Sequence, residues 1–89
     1  MNVYVDVLSP CLPNKNWKYH FSCHLIADSL TGLHSFAVRL GLKTSWFQKN
    51  TIPHYDLTAN KRRLAVKLGA IEIDKKQFAE LLRKQRLYK

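Results

Sequence analysis

"YHFSCHLIADSLTGLHSFAVRLG" (residues 19–41) decides the fold, because its hydrophobic rhythm changes part-way from a period of two to a period near that of a helix. Tyr19, Phe21, Cys23 and Leu25 alternate with His20, Ser22 and His24, as in a strand whose two faces differ, until the run turns fully apolar at Leu25–Ala27. A strand over 19–27 follows, with His20 and His24 on one face. From there Ser29, Leu30, Leu33, Phe36, Ala37 and Leu40 recur at helical spacing, and Gly41 stands where a C-terminal glycine belongs. The spacing predicts a helix over 29–40 with Asp28 as its N-cap. Gly32 inside it costs about 1 kcal/mol relative to alanine, which suits close packing there.

Toward the N-terminus, "VYVDVL" (3–8) is short, β-branched and aromatic, and reads as a strand. "SPCLPNKNW" (9–17), with two prolines and two asparagines, reads as a loop. Toward the C-terminus, "KTSWFQKNTIPHYD" (43–56) is a long connection carrying Trp46, Phe47, His54 and Tyr55. A loop with so many large side chains is packed down or lines a pocket. Leu57, Lys61, Leu64, Ala65 and Leu68 then share a helical stripe, with Thr58 as cap and Gly69 as stop, predicting a helix over 59–68. "AIEID" (70–74) reads as a short strand, Asp74 as a cap, and Phe78, Leu81 and Leu82 place a third amphipathic helix over 75–86. The order β-β-α-α-β-α describes one small α/β or α+β domain over 1–89, with its helices packed on a short three-stranded sheet. Residues 75–89 form a basic C-terminal helix and tail.

Fifteen Lys and Arg against six Asp and Glu give a net charge of +9. The charge is lopsided: residues 57–89 hold ten basic and three acidic residues, net +7, while residues 1–56 hold five and three, net +2. A polyanionic partner, nucleic acid or nucleotide, would relieve that repulsion. Its backbone would lie on Arg63, Lys67, Lys75, Lys76, Arg83, Lys84 and Arg86. The two cysteines, Cys11 and Cys23, allow at most one bridge. The N-terminal stretch has no charged segment leading into an apolar one, and no run approaches the roughly 18 apolar residues of a membrane span. Free thiols in a reducing cytoplasm, and no membrane, are therefore expected. No second Cys or His pair stands at zinc-finger spacing beside Cys23 and His24.

Two chemistries fit the polar residues. In the first, His24, His34, His54, Tyr55, Lys61 and Arg62 form a pocket for a phosphate-bearing ligand, and Trp46 stacks a base. Lys61 sits on the apolar stripe of its helix, where a cation is disfavoured unless it snorkels or meets an anion, while Arg62 and Arg63 point away from the stripe. In the second, Asp6, Asp28 and Asp56 with nearby histidines hold a divalent cation such as Mg²⁺ for phosphodiester hydrolysis. Asp6 lies inside an apolar strand, where a carboxylate is costly to bury unless paired. Structural roles compete: Asp28, Asp56 and Thr58 as helix caps, and His34 as a half-buried histidine bonded to backbone. Asp56 with Asp74-Lys75-Lys76 resembles a nuclease Asp…(Asp/Glu)-x-Lys pattern, although Asp74 reads better as a cap. Neither cysteine has the glycine-turn context of a nucleophile, and three glycines in all leave no phosphate loop.

The pieces "VYVD" (3–6), "HLIADSL" (24–30), "LHSFAVRLGL" (33–42), "WFQ" (46–48), "HYDLT" (54–58), "KR" (61–62) and "LGAIEI" (68–73) resemble, in order, the domain-of-unknown-function 4031 family of bacterial and phage proteins. The resemblance implies that Asp6, His24, Asp28, His34, Trp46, Gln48, His54, Tyr55, Asp56, Lys61 and Arg62 belong together as a set. It carries no established activity. It also makes a small accessory protein of an infected bacterium an expectation, and a host protein docked on the basic tail is then the alternative partner.

Overall fold

The computed structural model describes residues 2–15, 17–49 and 52–86. The strand predicted from the alternation is the centre of the sheet: β3, after β1 (Val3–Val5) and β2 (Ser9–Pro10), spans Phe21–Ala27. β1 pairs antiparallel with the second half of β3, and β2 with its first two residues. β4 (Tyr55–Leu57) pairs antiparallel along the other side of β3, and β5 (Ile71–Glu72) lies parallel to β1. The sheet is therefore mixed and five-stranded rather than three-stranded, in an α+β domain. The two unexpected strands are short: β2 is a two-residue segment ending in Pro10, and β4 hides in "YDL", which only His54 separates from Pro53. Runs of two or three residues carry too little periodicity to be recognised without their partners.

The period of two places Cys23, Leu25 and Ala27 on one face and His24 and Ile26 on the other. The first face packs with Leu33, Phe36, Ala37 and Leu40 of α1 (Leu30–Arg39) and Ala65 of α2 (Ala59–Lys67). On the second face Ile26 joins Ile52 and Ile73, against which Phe78, Leu81 and Leu82 of α3 (Lys75–Arg86) are packed. Val5, Leu25, Tyr55 and Leu57 are completely buried. Each such aliphatic side chain contributes about 1.5–3 kcal/mol relative to its exposed state.

The helix ends follow the expected chemistry with one shift. Ser29, not Asp28, caps α1, its Oγ accepting from Gly32 N at 3.1 Å. Asp28 instead accepts from Asn2 N at 3.1 Å and Tyr4 Oη at 3.0 Å, tying down the start of the chain. Gly41 takes φ +80° after α1, the left-handed conformation in which glycine ends helices. Thr58 caps α2 through Lys61 N, and Asp74 and Gln77 cap α3 reciprocally. The buried stripe of α2 is turned from the predicted one: it centres on Ala65, while Leu64 is 38% exposed and Arg62 is drawn inward. A small alanine lets the helix approach the sheet closely, and its neighbours one turn back, Lys61 and Arg62, flank the contact. Among the described residues no helix is long and apolar enough to cross a membrane, and both cysteines are free thiols.

Candidate functional site

The site begins with an irregularity in the sheet. Val5 stands opposite Leu25 and Ser9 opposite Ser22, so three residues, Asp6 to Leu8, face two, Cys23 and His24. That extra residue is a bulge, a device that re-aims side chains. Asp6 N still donates to His24 O at 3.3 Å, but His24 N donates to the Asp6 carboxylate, at 2.5 Å from Oδ1, instead of to a main-chain carbonyl. The carbonyl thus released, Asp6 O, accepts from Arg62 Nε at 2.9 Å, and Arg62 Nη1 pairs with Glu72 at the same distance. The second oxygen of Asp6 meets His24 Nδ1 at 2.7 Å. The carboxylate that looked misplaced in an apolar strand therefore has partners on both oxygens.

Across the sheet Asp56 stands opposite His24. Since the main-chain groups of His24 are turned toward the first strand, this is the narrow position of the β3–β4 pair, where side chains come closest. His54 enters β4 through a bridge with Gln48. Its Nδ1 donates to Ile52 O at 2.8 Å, and its Nε2 lies 3.5 Å from Asp56 Oδ1. At that length the contact is an ion pair rather than a short hydrogen bond. Gln48 Nε2 donates to the other Asp56 oxygen at 2.5 Å. The His24 and His54 rings meet edge to face with centroids 4.9 Å apart, and Phe78 of α3 stacks on His24 at 5.3 Å.

Electrostatics couple the pair. Burial pulls the His54 imidazolium down, but Asp56, the Ile52 carbonyl and the charge of Asp6 together hold its pKa above the ordinary histidine value. The same contact with His54, helped by Gln48 and opposed by burial, holds the Asp56 carboxyl below the usual range.

His24, His54 and Asp56 each offer one ligand atom, and the three atoms lie within 4.8 Å of one another. Donors around one ion at about 2.0–2.2 Å stand roughly 3–3.5 Å apart, so side-chain rotations would draw the three onto one ion and leave a further position open. Asp6 and the Ile52 carbonyl occupy Nδ1 of the two rings, which leaves Nε2 of each for a ligand. That is the way metal-binding histidines are oriented by their neighbours. Two imidazoles and a carboxylate suit Zn²⁺, Mn²⁺, Fe²⁺ or Co²⁺ better than Mg²⁺, which prefers all-oxygen shells.

The other residues of the expected pocket stand outside this three-donor cluster. His34 Nδ1 bonds Tyr55 Oη at 2.7 Å on the α1 side of the sheet, with Phe47 packed on both rings. Tyr55 is fully buried, and burial raises its pKa. Lys61 Nζ donates to Leu40 O at 2.6 Å, closing the C-terminus of α1. Arg62, expected on the outer surface, braces the bulge. Asp28 lies at the far end of β3, so the Asp6–Asp28–Asp56 metal triad is not assembled. Arg63 is exposed and bonded to Asn60. Lys67, Lys75, Lys76, Arg83 and Lys84 are exposed, whereas the Arg86 side chain and residues 87–89 lie outside the described residues.

Beside the cluster opens a cavity of about 640 Å³, whose walls include Trp17, Tyr19, Trp46, Phe47, Gln48, Asp56 and Lys61. Trp46 is held there by a single 3₁₀ turn, Thr44–Trp46. Trp17 and Tyr19 had no part in the site as read from sequence. Their signal was the aromatic and basic "WKYHF" (17–21) after a proline-rich loop.

The model of the family described as "Protein of unknown function (DUF4031)" matches residues 3–85. The chain belongs to the DUF4031 family. The matched span of this DUF4031 chain contains the bulge, the His–His–Asp cluster and the cavity. No curated protein and no solved structure matches it.

Proposed function

We propose that this DUF4031 protein is a metal-dependent phosphodiesterase whose centre is His24, His54 and Asp56, with Asp6 as the positioning residue for His24. The observation that carries the reading is the convergence of the three donors within 4.8 Å, with Nδ1 of both rings already engaged. A bound divalent ion would supply a water of lowered pKa and polarise a phosphoryl oxygen. The chain's own residues do the rest. Asp6 fixes the ring plane and tautomer of His24, Gln48 fixes the Asp56 carboxylate, and Phe78 shields one face of the His24 ring. In the reaction the water oxygen forms the new bond to phosphorus, the ester P–O bond breaks, and one hydrogen of the water ends on the leaving oxygen. A net charge of +9 supports an anionic substrate. The exposed cations of α3 would hold its backbone.

Calorimetric titration of Zn²⁺ or Mn²⁺ into metal-stripped protein tests the centre. One ion per chain is expected, with affinity at least tenfold weaker in His54→Ala and Asp56→Asn. Equal binding by wild type and both variants would remove the centre. Hydrolysis of bis(p-nitrophenyl) phosphate by the loaded protein tests the reaction, and ion binding without turnover would reduce the protein to a metal-binding module.

A further inference from the structure

The cavity next to the His–Asp cluster has a composition that the metal reading does not use. Two of its rings are fixed by the protein. Trp17 stands edge-on to Tyr19 at 5.2 Å with its indole nitrogen donating to Phe21 O at 3.3 Å, and Phe47 packs against the rings of both His34 and Tyr55. The other two are half exposed: Tyr19 at 43% and Trp46 at 50%. Each carries an ammonium group over its ring, Lys18 Nζ 5.6 Å from the Tyr19 centroid and Lys43 Nζ 5.7 Å from that of Trp46. A half-exposed ring beside a cation, repeated twice around one cavity, is the arrangement that stacks unpaired bases while holding their phosphates.

We propose that this cavity receives an unpaired base of a single-stranded nucleic acid, stacked on Tyr19 and Trp46, with Lys18 and Lys43 on the adjoining phosphates. The volume lies within the range of small-ligand sites and suits a flat ring better than a duplex, whose bases remain stacked on one another. Gln48 and Asp56 give the cavity a polar edge against which a base's hydrogen-bonding groups can rest. Asp56 is shared: it walls the cavity and belongs to the cluster with His24 and His54. A base seated in the cavity therefore brings its own phosphodiester next to the ion site. The proposal names the substrate class of that centre and to that extent rests on the metal reading, while base binding itself needs no ion.

The test is fluorescence anisotropy with labelled oligo(dT), and with its duplex of equal length, against the full chain in EDTA. Single strands should bind at least tenfold more tightly than duplex. Trp46→Ala and Tyr19→Ala should each weaken single-strand binding by about tenfold, the effect expected of a lost stacking ring. Trp46→Phe, which keeps a ring, should retain most of it. The Phe variant, with thermal melts of all three, separates lost stacking from lost folding. Lys43→Gln should lower the dependence of binding on log salt by about one phosphate contact. Binding unchanged in folded Trp46→Ala and Tyr19→Ala, or duplex bound as tightly as single strand, overturns the proposal. Displacement by thymidine monophosphate at the oligomer's concentration per base overturns the single-strand assignment in favour of a free nucleotide. Because EDTA is present throughout, failure here beside successful ion binding and ester hydrolysis would discard the substrate class and leave the metal centre standing.

Discussion

The Asp6 carboxylate holds His24 twice, one oxygen accepting from its main-chain N–H and the other meeting ring Nδ1 at 2.7 Å. A bulge makes this double grip: the carboxylate takes the ladder position that the Asp6 carbonyl gives up to Arg62. Backbone pairing and ring orientation are thus set by one side chain, which is 14% exposed.

Asp6→Asn separates the two tasks. The amide oxygen can still accept from His24 N, so the sheet should persist, but the acid that fixes the ring is gone. Metal affinity should fall by about 10–100-fold, the usual effect of losing an orienting partner, with little change in urea midpoint. Asp6→Ala should in addition destabilise by about 1–3 kcal/mol, because His24 N and its surroundings lose their acceptor. Calorimetry beside urea unfolding reads both. An Asn variant that binds the ion like wild type would show that His24 needs no such support.

Asp6 also shows how far the sequence was legible. A carboxylate inside "VYVDVL" marked an anomaly, and the anomaly lies at the site, but the bulge that resolves it depends on β3, some eighteen residues away in the chain. The period of two placed His24 correctly on the face opposite Cys23 and Leu25, because side-chain alternation is local. His54 and Asp56 were recognised as unusual while their strand was not, since three residues have no visible period and pairing with β3 is non-local. Lys61 was rightly seen as a cation out of place, yet its partner is a helix-terminal carbonyl rather than an anion, and the C-terminus of α1 is invisible from α2. Trp17 was missed because prolines and asparagines made 9–17 read as a plain loop, and Tyr19 because the alternation of 19–27 assigned it only a place in a strand.

The His54–Asp56 pair gives the metal-free protein a definite pH response. His54 titrates above its ordinary value, so its contribution is complete below that value and is lost as pH rises through the raised one. Asp56 titrates below its ordinary value, so its contribution is present above that value and is lost as pH falls through the lowered one. Both act together between about pH 4 and 6.5, the ordinary values of the two groups. In EDTA, the stability advantage of wild type over His54→Asn should therefore shrink between mildly acidic and mildly alkaline buffer. An advantage that stays constant or grows would contradict the pairing. Added metal should act in the opposite sense, stabilising more as pH rises, because it binds the neutral imidazole.

Cys23 should be chemically silent. It is 1% exposed, and its thiol is pushed up to about 12, first by burial and then by the Asp6 charge, against a smaller lowering by Arg62. Since the thiolate is the reactive form, iodoacetamide at mildly alkaline pH should modify the partly exposed Cys11 and spare Cys23 until denaturant is added. Peptide mass spectrometry distinguishes the sites. Labelling of Cys23 at the rate of Cys11 in native buffer would mean that β3 opens far more readily than its burial implies.

Lys61 decides between a binding and a structural role for the cation on the α2 stripe. Its Nζ donates to Leu40 O at 2.6 Å and lies 3.4 Å from the point where a Cβ on Gly41 would sit. The ammonium thus satisfies a carbonyl that the end of α1 leaves over and meets the negative end of that helix. Lys61→Met keeps the apolar stem and removes the donor, so it should cost about 1.5–3 kcal/mol, the range for a hydrogen bond to a charged group. Gly41→Ala should be destabilising for a second reason, because φ +80° strains any residue with a Cβ. In the double variant the two losses should fall short of additive, since both loosen the same helix end. Lys61 also lines the cavity, but its ammonium is already spent on Leu40, so oligonucleotide affinity in EDTA should change by less than twofold in Lys61→Met. A large loss of affinity at unchanged stability would instead make Lys61 the phosphate ligand that its place in the sequence first suggested.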